Sequence, residues 1–167
     1  MAADEPELQL AKLFPDTAVA GEALRARGWR VAVAESCTGG LLGATLTAVP
    51  GSSTYVVGGV IAYDNAVKIR LLDVAPGTLA QHGAVSEEVA AAMARGVRER
   101  LGAEVGVSTT GVAGPGSEEG GKPAGLVFIA LAAPGVERVV RIDGDHGREG
   151  NRAAAVQAAL ELLVGLA

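Results

Sequence analysis

A serine lies where a buried strand ends and a glycine turn begins, a position that suits a nucleophile or a ligand-binding group. Ser36 follows the apolar run 31–34, and the residues after it include Thr38, Gly39 and Gly40. In open α/β sheets, ligands bind in the crevice beyond the carboxyl ends of the strands. Backbone N–H groups of such a turn can hold a phosphate group or a developing oxyanion. The alternative is structural, with Ser36 or Thr38 capping the next helix and the glycines making the turn.

Ser36 needs a base if it is to act as a nucleophile, and lysine is the candidate that the composition leaves. Neither of the two histidines, His82 and His146, has a triad-like context, and the G-x-S-x-G elbow is absent. A desolvated lysine with a lowered pKa can accept the hydroxyl proton instead. Of the three lysines, Lys68 is the one that follows an apolar strand. Its alternative role is an exposed i,i+4 ion pair with Asp64.

Cys37 and Arg148 are further candidates, each with a common structural alternative. Cys37 is the single cysteine, so it cannot form an intramolecular disulfide, and alone it cannot build a zinc site. A thiol near a helix N-terminus can be reactive, whereas most lone cysteines pack as small buried residues. Arg148 begins the last predicted helix, where it could reach an anionic ligand or remain solvated. No cluster of His, Cys, Asp or Glu has metal-ligand spacing, so no metal is expected.

A glycine-rich loop spans residues 111–125 and contains a near match to a phosphate-binding motif. Residues 116–122 fill the first seven positions of a Walker A sequence. The eighth position is Pro123, where a Ser or Thr hydroxyl must bind Mg²⁺. A strand rather than a helix is predicted to follow, and two glutamates lie where phosphates would bind. We therefore reject a phosphate site of this type.

The elements that must position these groups alternate between helices and strands. Helical periodicity and capping residues predict helices over 16–27, 41–49, 65–72, 86–101 and 148–163. Apolar and β-branched runs predict strands over 29–34, 54–63, 104–109, 126–132 and 138–142. This order predicts an α/β fold, a single-domain α/β sandwich with a mixed, partly parallel sheet, whose last two strands form a hairpin. Residues 1–15 are predicted to form a loose N-terminal arm before a domain over 16–167.

Charge and composition exclude several classes of function. The 167 residues include 14 Lys and Arg against 19 Asp and Glu, without a basic cluster that could neutralise phosphates, so no nucleic-acid partner is expected. No apolar run approaches the roughly 20 residues of a membrane span, so no membrane partner is expected. The acidic start lacks the basic and apolar layout of a signal peptide, so we expect a cytoplasmic protein.

Five short blocks, taken in order, resemble the CinA C-terminal domain family. Between Thr17 and the end of the chain they comprise AESCTGG (34–40), the Tyr, Asn and Lys of 63–68, GAVS (83–86), TGVAGP (110–115) and KPAG (122–125). The stand-alone, PncC-like members of that family are nicotinamide-nucleotide amidohydrolases. The resemblance implies the family's α/β fold and hydrolysis of the carboxamide of nicotinamide mononucleotide, the small-molecule substrate, to nicotinate mononucleotide and ammonia. It implies no metal and no cofactor.

The resemblance also implies roles for individual residues. Ser36 becomes the nucleophile, Lys68 takes its proton, and Tyr63 hydrogen-bonds the pair. Lys68 can accept a proton only if burial or a nearby cation keeps it largely neutral. The residues implied to bind the substrate, through its oxyanion or its phosphate, are Thr38, Gly39, Gly40, Asn65, Thr110, Gly111, Ala113, Gly114 and Arg148.

One position departs from the family's pattern. The family commonly has an Asp immediately before the arginine that begins the last helix, but Gly147 lies there, and Asp145 is two residues upstream. The path of the chain before Arg148 is therefore expected to differ from the family's.

Two other functions remain open from the sequence. A non-catalytic nucleotide- or partner-binding module of the same fold would bind without turnover, because family membership does not guarantee activity. An amidase for another small amide would keep the chemistry and change the substrate. The resemblance and the alanine- and valine-rich helix faces also lead us to expect a homodimer.

Overall fold

Five strands form one mixed sheet in the part of the chain that the structure, a computed structural model, describes, which is residues 9–118 and 120–167. The strands are β1 (Val31–Glu35), β2 (Val56–Ile61), β3 (Val105–Gly111), β4 (Val127–Ala133) and β5 (Val136–Ile142). Their order across the sheet is β2-β1-β3-β4-β5. β1 is parallel to β2 and β3, whereas β4 is antiparallel to β3 and β5. The predicted mixed, partly parallel sheet and its terminal hairpin are confirmed.

Helices cover both faces of this sheet. They are α1 (Leu10–Leu13), α2 (Asp16–Arg27), α3 (Leu41–Thr47), α4 (Asn65–Leu72), α5 (Pro76–His82), α6 (Glu87–Leu101) and α7 (Gly147–Val164). One face packs against α1, α2, α3 and α7, and the other packs against α4, α5 and α6. Side chains of β1 alternate between these two layers, because successive residues of a strand point to opposite faces. Within the described residues, no helix combines the length and apolar character needed to cross a membrane.

Most predicted elements lie where the sequence placed them. Helices α2 and α4 begin and end at the predicted residues. Helix α6 follows its predicted cap, Ser86, whose Oγ accepts the N–H of Val89 at 3.3 Å. Helix α5 is absent from the prediction. It begins at Pro76, a favoured first helical residue, but none of its side chains is buried, so it has no apolar periodicity to recognise.

The prediction of a loose arm is corrected for the residues that the structure describes. Helix α1 lies inside the predicted arm, and Leu10 and Phe14 are buried in the cluster that also contains Leu24 and Leu46. Two apolar side chains four residues apart share one side of a helical turn, so this turn packs against the sheet's helical layer. Residues 1–8 of the predicted arm lie outside the described residues.

The topology brings the carboxyl ends of β1 and β3 side by side. These parallel neighbours pair with Glu35 opposite Thr109. The chain passes from β1 to β2 through α3 on one face, and from β2 to β3 through α4, α5 and α6 on the other. A crevice forms where crossovers leave a sheet on opposite faces. Ser36 lies at this crevice, one residue beyond the end of β1.

We expect alanine at Gly96 to destabilise the protein, because α4 ends against α6 at this residue. A Cβ at Gly96 would lie 1.9 Å from the carbonyl oxygen of Leu72, so backbone would have to move. Overpacking of this kind lowers the free energy of unfolding by about 1 to 3 kcal/mol, against a gain in helix propensity of about 1 kcal/mol or less. Urea denaturation of Gly96→Ala measures the net loss.

Gly77, in α5, provides the matched helical control. A Cβ at Gly77 would meet no atom within 4 Å. Gly77→Ala should therefore retain or slightly raise the free energy of unfolding. Equal stability of the two variants would contradict the close approach of α4 to α6.

Candidate active site

Ser36 and Lys68 meet at the carboxyl end of β1. Lys68 Nζ lies 3.1 Å from Ser36 Oγ, within hydrogen-bond distance. The same amine donates to the carbonyl oxygens of Ala62 at 2.8 Å and Tyr63 at 3.3 Å. Lys68 is only 1% exposed, so its amine is shielded from bulk water. A serine and a buried lysine in this geometry can act as nucleophile and base.

Burial changes the protonation of Lys68. It lowers the pKa of the amine below the ordinary value of 10.5, and the negative charge of Asp64 opposes that shift. The Asp64 carboxylate itself caps α4, where its Oδ1 accepts the N–H of Ala66 at 2.7 Å. The structure contains no ion pair between Asp64 and Lys68, so the alternative of an exposed i,i+4 pair is wrong. The lowered pKa enlarges the neutral fraction of Lys68, the form that can accept a proton.

Glu35, the last residue of β1, holds the turn that carries Ser36. Its carboxylate is 2% exposed and accepts the N–H groups of Gly40 at 3.2 Å, Leu42 at 2.8 Å and Gly43 at 2.9 Å. A carboxylate is favourable at a helix N-terminus, so Glu35 fixes the start of α3. Sequence reasoning missed this role. The available signal was an acidic residue ending an apolar buried strand, where a carboxylate must find donors.

Thr38, Gly39 and Gly40, which the resemblance implies bind substrate, are engaged in hydrogen bonds within the turn itself. The N–H of Gly40 is used by Glu35, and the N–H of Gly39 donates to the carbonyl oxygen of Ser36 at 3.1 Å. Thr38 is fully buried, and its hydroxyl donates to Glu35 Oε1 at 2.6 Å. None of the three lines the cavity beside Ser36. They shape the turn because its donors satisfy the buried carboxylate.

A cavity of about 380 Å³ opens beside Ser36 and Lys68. The other residues predicted to bind substrate all line it, namely Asn65, Thr110, Gly111, Ala113, Gly114 and Arg148. Its wall also includes Cys37, Tyr63, Ser117 and Glu118. A small concave site with a few convergent polar groups is the usual form of a site for a small molecule.

Tyr63 and Arg148 meet on the exposed side of this cavity. Arg148 donates to the Tyr63 hydroxyl at 3.2 Å through Nη2 and to the Gly114 carbonyl oxygen at 2.6 Å through Nη1. Tyr63 is 60% exposed, and its carbonyl oxygen accepts a hydrogen bond from Lys68. Tyr63 thus contacts the Ser–Lys pair through its carbonyl oxygen, whereas its hydroxyl contacts Arg148.

Gly147 lies where the family commonly has an aspartate, and Asp145 supplies a carboxylate to the same end of α7. Asp145 Oδ1 accepts the N–H of Gly147 at 2.9 Å and a side-chain N–H of Asn151 at 3.0 Å. A carboxylate thus still lies at the start of α7, where the positive end of the helix dipole favours it. Arg148 reaches Gly114 from the first turn of that helix.

Asn151 is a second polar residue that sequence reasoning missed. It is 2% exposed, its Nδ2 donates to the carbonyl oxygen of Ala113 at 2.9 Å, and its Oδ1 accepts the N–H of His146 at 2.8 Å. These bonds connect α7 to the loop that lines the cavity. The sequence signal is that Asn151 lies one helical turn before Ala155, on the buried side of α7. A buried side-chain amide must have hydrogen-bond partners.

Cys37 and Lys122 have structural roles. Burial raises the pKa of the Cys37 thiol to about 12, so the thiol stays protonated near neutral pH and is a poor nucleophile. Lys122 donates to the carbonyl oxygens of His82 and Val85 and connects the glycine-rich loop to the segment between α5 and α6. This use of Lys122 agrees with the rejection of a Walker A site. Among residues 9–118 and 120–167, no group of three or more His, Cys, Asp or Glu could hold a metal ion.

This chain is similar in sequence to members of one protein family. The model of the CinA C-terminal domain matches residues 16–166. A "Putative competence-damage inducible protein" of Desulforamulus reducens is 53% identical over 146 residues, which cover 86% of this chain and 35% of that protein. A "CinA-like protein" of Gloeobacter violaceus is 52% identical over 138 residues, which cover 81% of this chain and 32% of that protein. The chain thus spans about a third of the length of these curated relatives.

Solved structures of the same family have the same fold. The competence/damage inducible protein CihA from Agrobacterium tumefaciens matches with a TM-score of 0.88 and 38% identity, covering 92% of this chain and 94% of that one. A CinA superfamily protein from Escherichia coli matches with a TM-score of 0.89 and 32% identity, covering 99% and 96% of the two chains. The single-domain α/β fold inferred from the sequence is therefore shared with these proteins.

We expect Lys68→Met to change how stability depends on pH. The unfolded chain keeps its Lys68 proton up to the ordinary pKa of 10.5, whereas the folded protein releases it at lower pH. Between the two pKa values the unfolded state binds more protons, so this residue makes the free energy of unfolding rise with pH. In urea denaturation, the stability of the wild type relative to Lys68→Met should therefore increase through the alkaline range. If the difference in free energy of unfolding between the wild type and Lys68→Met stayed constant from about pH 7 to about pH 10, a lowered pKa of Lys68 would be contradicted.

Proposed function

Because the chain belongs to the CinA C-terminal domain family, as its five sequence blocks predicted, we propose that it is an amidohydrolase that deamidates nicotinamide mononucleotide. The products are nicotinate mononucleotide and ammonia. The observation that carries the proposal is the approach of Lys68 Nζ to within 3.1 Å of Ser36 Oγ at the wall of a cavity. The proposal concerns the reaction at this cavity, since the chain spans only part of its curated relatives.

In the proposed reaction, Ser36 attacks the carboxamide carbon and Lys68 moves the protons. Neutral Lys68 takes the Ser36 hydroxyl proton as Oγ bonds to the carbon, which gives a tetrahedral oxyanion and a lysine ammonium. The carbonyl oxygens of Ala62 and Tyr63 accept hydrogen bonds from that ammonium, which offsets part of the cost of its burial. Lys68 then protonates the amide nitrogen, the C–N bond breaks, and ammonia leaves. Water hydrolyses the acyl-enzyme with Lys68 again as base.

We assign the oxyanion to the loop 110–114. Glu35 already occupies the N-terminal end of α3, so the turn after Ser36 is a poor place for a second negative charge. In the part of the chain that the structure describes, the N–H groups of Ala113 and Gly114 donate to no protein acceptor. Both residues line the cavity. Backbone donors held in place before the reaction are the usual means of stabilising such an oxyanion.

The charges around the cavity support a substrate with an anionic end. Arg148 is exposed and carries a permanent positive charge at the cavity wall. Together with the glycine-rich loop it forms the proposed contact for the phosphate group, since a guanidinium can bind a phosphate through two parallel N–H···O hydrogen bonds. Glu118 contributes a carboxylate to the same wall, which suits the positive charge of a pyridinium ring.

The family resemblance also supports two further proposals. We propose that the chain acts in the cytoplasm and that it forms a homodimer. Ile61, on the edge strand β2, and Leu71, on α4, are exposed apolar side chains that a second copy could cover. Light scattering on the purified protein would test the second of these.

We expect Ser36→Ala to abolish ammonia release from nicotinamide mononucleotide while substrate binding remains. Removing the nucleophile of a cooperating pair lowers kcat by about 1000-fold or more. Steady-state ammonia assays and isothermal titration calorimetry on the same preparation separate turnover from binding. An equally active Ser36→Ala variant would contradict the mechanism.

Ser108→Ala is the matched control for this variant. Ser108 is fully buried on the neighbouring strand β3, and its hydroxyl donates to the carbonyl oxygen of Ala90 at 2.6 Å, away from the cavity. Its loss should lower stability by about 1 kcal/mol and leave kcat unchanged. A wild-type protein that binds the nucleotide without releasing ammonia would instead support a binding module.

The pH dependence of activity should report the lowered pKa of Lys68. Because only the neutral amine accepts the Ser36 proton, kcat/KM should rise with pH and level off above the pKa of Lys68 in the free enzyme. Lys68→Arg should be inactive throughout, since a guanidinium stays protonated. A wild-type kcat/KM that does not fall toward acid pH, or an active Lys68→Arg variant, would rule out Lys68 as the base.

A further inference from the structure

The side-chain amide of Asn151 is fully bonded and directed at the loop assigned to the oxyanion. Its Nδ2 lies 2.9 Å from the carbonyl oxygen of Ala113 and 3.0 Å from Asp145 Oδ1, so both of its hydrogens have acceptors. Its Oδ1 accepts the N–H of His146 at 2.8 Å. With three bonds and burial in α7, the amide has one orientation. The position of the Ala113 carbonyl is therefore set by the helix.

Fixing the Ala113 carbonyl also fixes the N–H of Gly114, because the two belong to one peptide group. The Ala113–Gly114 bond is trans, so its C=O and N–H point in opposite directions. Asn151 holds the carbonyl oxygen of Ala113 on the side that faces α7, and the N–H of Gly114 consequently faces away from that helix. The next carbonyl, that of Gly114, is held by Arg148 from the same helix. Two successive carbonyls of the loop are thus bound by α7.

We infer that Asn151 is a positioning residue, whose bond to Ala113 aims the N–H of Gly114 at the oxyanion formed on attack by Ser36. This inference rests on the proposed amidohydrolase activity. Asn151 is buried and is not part of the cavity wall. It acts through the peptide group between Ala113 and Gly114.

A positioning residue of this kind affects the transition state more than the bound substrate. The negative charge that the Gly114 N–H would stabilise develops only after Ser36 attacks. Loss of the Asn151 amide should therefore lower kcat and kcat/KM together and leave KM nearly unchanged. A purely structural residue would lower the melting temperature without changing kcat of the folded protein.

The test compares Asn151→Ala with Gln157→Ala, both on α7. Gln157 Nε2 donates to Asp16 Oδ2 at 2.7 Å and to Glu161 Oε1 at 3.1 Å, and it lies outside the cavity wall. Steady-state ammonia release from nicotinamide mononucleotide gives kcat and KM, and thermal unfolding gives Tm. We expect a lower Tm in both variants and a fall in kcat of about 10- to 100-fold in Asn151→Ala alone. Unchanged kcat in Asn151→Ala, with the wild type active, would overturn the inference and leave the proposed function standing.

Asp145→Ala gives a second measurement that does not remove a buried side chain. Asp145 is exposed and supports the Asn151 amide from outside. Asp145→Ala should lower kcat several-fold, and the double variant should be no slower than Asn151→Ala, because both changes act on one bond network. If Asn151→Ala does not fold, the inference is tested by comparing kcat of Asp145→Ala with kcat of Asp143→Ala. Asp143 is an exposed aspartate that is paired with Arg141. Equal kcat in these two aspartate variants would overturn the inference, whereas a wild type that releases no ammonia would overturn the proposed function itself.

Discussion

The burial of one lysine amine beside one serine hydroxyl is the constraint on which the rest of this structure depends. An ammonium group is costly away from water, so Lys68 can lie there only with a lowered pKa and with oxygen atoms around its nitrogen. Those oxygens belong to Ser36, Ala62 and Tyr63, which lie at the end of β1 and in the segment between β2 and α4. The pair therefore exists only while β1 and β2 stay in parallel register and α4 begins directly after β2.

A second constraint follows from the charge of Glu35. Because this carboxylate already satisfies the first N–H groups of α3, the helix end next to the serine is neutralised by the protein itself. The donors proposed for the substrate then come from the opposite wall of the cavity, the loop after β3, which α7 holds through Asn151 and Arg148. The proposed nucleophile and the proposed oxyanion donors thus belong to different walls, and only the packing of α7 on the sheet brings them together.

Local signals in the sequence predicted most of the fold. The capping serine and the apolar stripe of α6, and the strands of the terminal hairpin, lie close to where periodicity placed them. Helices α1 and α5 were missed because each is short and its apolar pattern covers no more than two turns. In the site, the family resemblance pointed to Ser36 and Lys68, whereas the residues alone favoured a surface ion pair between Lys68 and Asp64. Glu35 and Asn151 were missed because their local signals, an acidic residue ending a buried strand and an amide on the buried side of a helix, show that partners are needed but not which groups supply them.

The sequence by itself determined the types and limits of the elements, the turns between them and the family, because helix and strand patterns depend on residues within a few positions of one another. The tertiary structure decided which polar groups meet. Lys68 is four residues from Asp64 yet its amine lies against Ser36, which is 32 residues away, and Asn151 binds the carbonyl of Ala113 across 38 residues. A buried hydrogen bond is stable only when its partner is at the right distance and angle. For partners this far apart in the chain, only the packing of β1, α4, β3 and α7 supplies that position.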